Sequence, residues 1–184
     1  MTLARRKILI AGMGTSPGVL TNVVWALAHG EKPVVPDEIV VFITKNGKTL
    51  LKKELFDDGV WADMLKNLAR EGIDIDGKLL FGETSIRSIP DVKGNEIDDL
   101  RTGDDNLRAA DFMLGELRKY TEDNGTELHV SIAALQGHRR TQQAVRQRQG
   151  ILRSARLRSV WLARIASPAC VAVTPRVWAR GRGR

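Results

Sequence analysis

The segment 7–20 constrains the fold most, because its pattern changes twice over a short distance. Its first part belongs to a short apolar run, residues 6–12, which is bounded by glycine and is typical of a buried parallel strand. Residues 13–18 follow as a loop, in which Ser16 is placed to cap a helix that begins with Pro17. Apolar residues then recur at helical spacing. The segment therefore predicts a strand, a loop and a helix in succession.

The same alternation recurs further along the chain. Residues 38–44 form a second apolar run, and the Lys-Asn-Gly sequence at 45–47 predicts a turn. Residues 48–56 and 60–71 have the spacing of one interrupted helical stretch, and residues 78–82 predict a weaker third strand.

A polar loop is predicted at residues 83–103, followed by a helix that Thr102 or Asp104 caps and that runs to about Asp123. Residues 127–133 then predict a fourth strand. Strands alternating with helices indicate an α/β fold, namely a Rossmann-like, doubly wound and mainly parallel sheet with helices on both faces. Ligands of such sheets bind at the carboxyl ends of the strands, near a switch in strand order.

Composition excludes several classes of protein. A single cysteine, Cys170, rules out a disulfide framework and favours a reducing cytoplasm as the location. The three histidines lack the local spacing of a metal cluster, and no apolar run approaches the roughly 20 residues that span a bilayer. We therefore expect no metal, no other cofactor and no membrane partner.

The net charge of +7 combines two unlike parts of the chain. All 22 acidic residues precede Leu128, whereas no acidic residue and no lysine follows it, and 12 arginines do. We therefore predict a ligand-binding domain over residues 1–134 and an atypical Arg-rich segment over residues 135–184. For that segment three interpretations stay open: a basic arm that binds nucleic acid, translation out of frame, and an ordinary folded end.

The first loop is the strongest signal of function. Gly12, Gly14 and Gly18 let backbone approach a ligand, N–H groups at a helix start attract an anion, and Thr15 and Ser16 add hydroxyl donors. The glycine spacing differs from the dinucleotide fingerprint, no acidic residue ends the second strand, and the Gly-Lys-Ser/Thr of a P-loop is missing. The alternative is a tight turn without a ligand.

Arginines supply the candidate phosphate partners. Arg87, Arg101 and Arg108 could each bind phosphate oxygens through the guanidinium fork, or could pair with neighbouring aspartates at the surface. Asp98 and Asp99 could hold a metal, but they lack a third ligand, and this favours a solvated helix flank.

A hydrolase is not favoured by the sequence. Ser16 is not part of a Gly-x-Ser-x-Gly elbow, and His129 lies within the fourth strand, where a structural role is expected. His138, just beyond that strand, is the histidine best placed for acid–base chemistry.

Residues 8–17, with the sequence ILIAGMGTSP, resemble the first strand and loop of a CRISPR-associated Rossmann-fold (CARF) protein. Segments 43–47, 95–102, 106–111 and 128–133 also match, and together they resemble a small type III CRISPR-associated subfamily over residues 6–134. In that family a Gly-Gly-Arg-Lys-Thr-like loop follows the fourth strand. A second ligand loop is predicted here from a partial match, at Gly137, Arg139, Arg140 and Thr141.

The resemblance implies a homodimer that binds a cyclic oligoadenylate second messenger across its two-fold axis in antiviral defence. The predicted ligand contacts are Gly12, Gly14, Thr15, Ser16, Pro17, Thr44, Asn46, Arg87, Arg101 and Asn106. Three functions remain open: a sensor of this ligand, a ring nuclease that cleaves it, and a less favoured nucleic-acid-binding protein that uses residues 139–184.

Overall fold

A parallel β-sheet forms the centre of the computed structural model, which describes residues 5–121, 125–134 and 159–161. The elements in chain order are β1 Arg6–Met13, α1 Gly18–Ala28, β2 Glu38–Ile43, α2 Lys45–Leu51, α3 Val60–Arg70, β3 Ile86–Ser88, α4 Gly103–Thr121, β4 Thr126–Ala134 and β5 Ser159–Trp161. A π-helical segment, Lys52–Asp57, continues α2, and Gly59 with φ 75° separates it from α3, so the predicted interrupted helical stretch is confirmed.

The sheet has the order β3-β2-β1-β4-β5, and each neighbouring pair is parallel. Ile10 of β1 lies between Val40 of β2 and Val130 of β4, which places β1 at the centre. Strand order reverses beside β1, because the chain first builds outwards through β2 and β3 and then returns to β4. The gap between the carboxyl ends of β1 and β4 is therefore the switch point of this sheet.

Helices cover both faces of the sheet, as the sequence predicts. Ile8 and Ile10 of β1 pack into a core under α4, whereas Leu9 and Ala11 pack into a second core with α1, α2 and α3. Because successive strand residues point to opposite faces, one continuous apolar run supplies both cores. The α/β, Rossmann-like fold class is confirmed.

The third strand lies elsewhere than predicted. Residues 78–82 make a single bridge, between Leu80 and Glu38, and Leu79 has φ 54°, which breaks the extended conformation. The remaining length of β2 is paired by Ile86–Ser88, inside the segment predicted as a polar loop. The strand prediction for residues 78–82 is therefore wrong.

Thr102 caps α4, as predicted. Its hydroxyl accepts from the backbone N–H of Asp105 at 3.1 Å, and the Asp105 carboxylate accepts from the backbone N–H of Thr102 at 2.8 Å. This reciprocal pair is the capping-box arrangement, with aspartate in the place of glutamate.

Strand β5 comes from the Arg-rich segment and pairs Ser159 with His129 of β4. Whether the domain boundary lies at residue 134 stays a prediction. In the part of the chain that the structure describes, no helix is long and apolar enough to cross a membrane.

Candidate ligand-binding edge of the sheet

The loop after β1 lies at the switch point and forms the first part of the candidate site. Gly12, at the end of the strand, is buried, as are Gly14 and Pro17, whereas Thr15 and Ser16 are exposed. Among the described residues no hydrogen-bond acceptor contacts the backbone N–H groups of Thr15 and Ser16. Two hydroxyls and two backbone donors therefore lie together at the start of α1.

Ser16 does not cap α1, so that prediction is wrong. Pro17 already has helical backbone angles, φ −60° and ψ −34°, and the helix begins at Gly18. The N–H of Val19, which a capping hydroxyl would bind, donates instead to the backbone carbonyl of Ser16 at 3.2 Å. The Ser16 hydroxyl is thus free of a capping role.

The loop after β2 contributes Thr44 and Asn46. Helix α2 begins at Lys45, so the predicted turn at 45–47 is wrong. Thr44 is buried, and its hydroxyl caps the helix by accepting from the N–H of Gly47 at 3.3 Å. Asn46 is exposed.

Gly47 brings the two loops into direct contact. A Cβ atom at this position would lie 2.6 Å from the carbonyl oxygen of Gly14 and 2.8 Å from Cγ1 of Ile43. No other residue type leaves this space to the Gly14 carbonyl. Sequence reasoning identified Gly14 but missed Gly47, which looked like an ordinary turn glycine.

The backbone donors at the start of α2 are already bound by the chain itself. The N–H of Lys45 donates to the carbonyl of Ile97 at 2.9 Å, and the N–H of Asn46 to that of Asp98 at 3.3 Å. An anion at this edge would therefore meet side chains of α2 and not its backbone.

A polar cluster that sequence reasoning also missed lies beside this helix. The Glu96 carboxylate accepts from Nζ of Lys48 and from Oγ of Ser88, each at 2.6 Å. The hydrogen bond from Lys48, followed by that from Ser88, lowers the pKa of Glu96. Lys45 lies 3.3 Å from Asp98, so Asp98 pairs with a lysine and not with a neighbouring arginine. The spacing of these lysines was visible in the sequence, but their partners were not.

The three candidate arginines differ in their surroundings. The Arg87 guanidinium donates to the backbone carbonyl of Thr84, and Arg101 is exposed. Arg108 is half-buried, and its Nε is buried without a hydrogen-bond partner among the described residues.

Asn106 lies between these arginines on the first turns of α4. It is buried, and its Nδ2 donates to the carbonyl of Thr102 at 2.5 Å. Its amide therefore helps to hold the start of the helix that carries Arg108.

Metal ligands and histidines are the remaining groups that the sequence singles out for chemistry. Within the described ranges no group of three or more His, Cys, Asp or Glu side chains could hold a metal ion. His129 is buried in β4, with Nε2 3.2 Å from Glu127 Oε1, and burial lowers its pKa. His138 and the second loop, Gly137, Arg139, Arg140 and Thr141, lie outside the described residues.

Comparison with known proteins gives one family. The sequence pattern of the family described as CRISPR-associated protein NE0113 matches residues 16–146. The matched range includes most of the candidate edge and continues past the end of β4 through the predicted second loop. The comparison with curated proteins and that with solved structures gave no match.

Proposed function

The chain belongs to the CRISPR-associated protein NE0113 family, which assigns it to CRISPR-linked defence, and from this premise we propose that it senses a cyclic oligoadenylate. The ligand binds at the carboxyl edge of the sheet, and a homodimer brings two such edges together around one ring. The proposal makes this chain a CARF-type sensor.

The observation that carries the proposal is the loop after β1. It places exposed Thr15 and Ser16, with backbone donors that no described residue occupies, at the switch point of the sheet. Ligands of doubly wound sheets bind at this position, and N–H and hydroxyl donors at a helix start suit phosphate oxygens.

The end of β2 supports a ligand other than a dinucleotide cofactor. A dinucleotide site has an acidic residue there, which binds the ribose hydroxyls. Here that position holds Thr44, whose hydroxyl is engaged in capping α2. The neighbouring lysines of α2, Lys45 and Lys48, and the exposed Asn46 are suited to a ligand whose phosphates are spread around a ring.

Titration calorimetry with cyclic tetra-adenylate and cyclic hexa-adenylate tests the proposal. We expect heat with one of the two rings, and a much weaker response from the Ser16→Ala variant. Thr49→Ala is the matched control, because Thr49 is an exposed hydroxyl residue on α2 that bonds only its own helix, to the carbonyl of Lys45. No heat with either ring, on protein shown to be folded, contradicts the proposal.

A ring nuclease is the second candidate, and the same loop favours it. In this reaction a ribose 2′-hydroxyl attacks the adjacent phosphorus, and the bond to the 5′-oxygen of the next nucleotide breaks, which leaves a 2′,3′-cyclic phosphate and a 5′-hydroxyl. The step needs mainly positioning and stabilisation of developing charge, which backbone and hydroxyl donors supply. Chromatography of the ring after incubation separates the two functions: a sensor returns intact ring, and a nuclease returns linear product. The nucleic-acid alternative rests on residues 139–184, of which the structure describes only 159–161.

A further inference from the structure

We propose that Arg108, which α4 contributes, is a phosphate-binding residue of this site; the sequence alone offers it only as one of three candidate arginines. The inference rests on the proposed function and names one residue that recognises the charge of the ligand. Three properties of Arg108 carry it: a buried donor, a position at the ligand edge, and a neighbouring carboxylate that is engaged elsewhere.

The buried donor is Nε of the guanidinium. It is shielded from solvent and has no hydrogen-bond partner among the described residues. A buried N–H without an acceptor is unfavourable, and such groups in folded proteins call for an explanation. A ligand oxygen supplies the acceptor, and a phosphate binds Nε and a terminal nitrogen of the guanidinium together.

The position follows from the packing of α4 on β2. The ring of Phe112 packs edge-on against Phe42 of β2, with centroids 5.7 Å apart. Helix α4 runs opposite to the strands, so Arg108 lies about 6 Å nearer the carboxyl edge than Phe112. Two strand residues also rise about 7 Å, which puts Arg108 level with Thr44. Helical side chains incline towards the helix N-terminus, and this carries the guanidinium further towards the edge.

The neighbouring carboxylate is that of Asp105. Its pKa is lowered chiefly by hydrogen bonds from Thr102, then from the backbone of Arg101, with a smaller contribution from the charge of Arg108. The guanidinium is therefore close to Asp105, yet no carboxylate of the described residues lies within ion-pair distance of it. Asp105 directs Oδ2 to the backbone N–H groups of Arg101 and Thr102. Within the described part of the chain, no ion pair therefore competes with a ligand for the Arg108 guanidinium.

The test compares Arg108→Met with Arg118→Met, the same substitution at an exposed position near the other end of α4. Methionine keeps the aliphatic stem and removes the buried donor. For Arg108→Met we expect a Tm without ligand equal to or above that of the wild type, and an affinity for the ring that binds the wild type reduced about tenfold or more. Arg118→Met should bind as the wild type does.

The outcomes separate this inference from the function on which it rests. If the wild type binds neither cyclic tetra- nor cyclic hexa-adenylate, both fail. If the wild type binds and Arg108→Met binds equally well, only the role of Arg108 is overturned. A lower Tm with unchanged affinity identifies a structural arginine and also overturns it. Should the methionine variant not fold, the same two measurements, Tm without ligand and affinity for the ring, are made on Arg108→Gln.

Discussion

At the scale of single residues, the contact between Gly47 and Gly14 fixes where the candidate ligand loop lies. Gly47 is buried in the first turn of α2, and Gly14 is buried in the loop after β1. Because Gly47 has no side chain, it leaves room for the backbone carbonyl of Gly14. Backbone cannot move aside as a flexible side-chain end can. The position of Thr15 and Ser16 therefore depends on a glycine on a different element.

Replacing Gly47 by alanine should destabilise the fold by about 1–3 kcal/mol, because the new methyl group overlaps the Gly14 carbonyl and Ile43. Urea unfolding measures the difference. Gly115→Ala is the matched control, since Gly115 lies in α4 and the added carbon would meet no atom within 4 Å apart from its chain neighbours and the backbone of its own helix. That variant should gain about 0.5–1 kcal/mol from helix propensity. A Gly47→Ala variant as stable as the wild type, or a Gly115→Ala variant that loses as much stability as Gly47→Ala, contradicts the packing argument.

At the scale of elements, buried parallel strands were predictable and the edge strand was not. β1 and β2 are continuous apolar runs because both of their faces are covered. β4 alternates instead, with Leu128 and Val130 in the core under α4 and the buried polar residues His129 and Ser131 between them. β3 has only three residues, Ile-Arg-Ser, which is too short for an alternating pattern that would distinguish a strand from a loop. Its place is decided by pairing with β2, a tertiary contact.

The candidate site likewise has one part that could be predicted from the sequence and one part that could not. The loop after β1 was predictable because glycine, hydroxyl residues and proline follow an apolar run. The start of α2 was not, because Lys-Asn-Gly is a good turn sequence unless a distant carbonyl requires the glycine. The buried Nε of Arg108 depends on how α4 packs, so sequence reasoning could identify the arginine but could not rank it above Arg101.

The ends of helices α1 and α3 are joined by a contact through the titratable side chain of His29. Nδ1 of His29 lies 2.8 Å from the carbonyl of Trp25, and Nε2 lies 2.6 Å from the carboxylate of Glu71, just after α3. The Trp25 carbonyl, and then Glu71, raise the pKa of His29 above its usual 6.5. Both ring nitrogens donate only when the imidazole is protonated.

Because folding raises the pKa of His29, the charged form stabilises the native state. This contribution is complete below the unfolded pKa of about 6.5 and is lost as the pH rises through the higher folded value. His29→Gln should therefore cost more free energy of unfolding at about pH 5.5 than at about pH 8.5. Urea titrations of both proteins at the two pH values measure this difference. A cost independent of pH would show that His29 acts only through stacking on Trp25.

At the scale of the whole molecule, the sheet places its candidate ligand groups on one edge, and the cores on its two faces hold that edge in place. Under the proposed function, single copies of Thr15, Asn46 and Arg108 would contact only part of a ring of repeated phosphates. A second copy of the chain, related by a two-fold axis, supplies the same groups to the other side. Under the proposed function the ligand therefore prefers the dimer to the monomer.

Linkage turns this preference into a measurable effect. A ring that binds the dimer better must strengthen dimerisation by the same factor by which dimerisation strengthens ring binding. Sedimentation equilibrium should show tighter self-association with the bound ring than without it, and calorimetry should give about one ring per two chains. Arg108→Met should keep the ligand-free association and lose the effect of the ring. One ring per chain, with association unchanged, would mean that each edge binds its ligand alone.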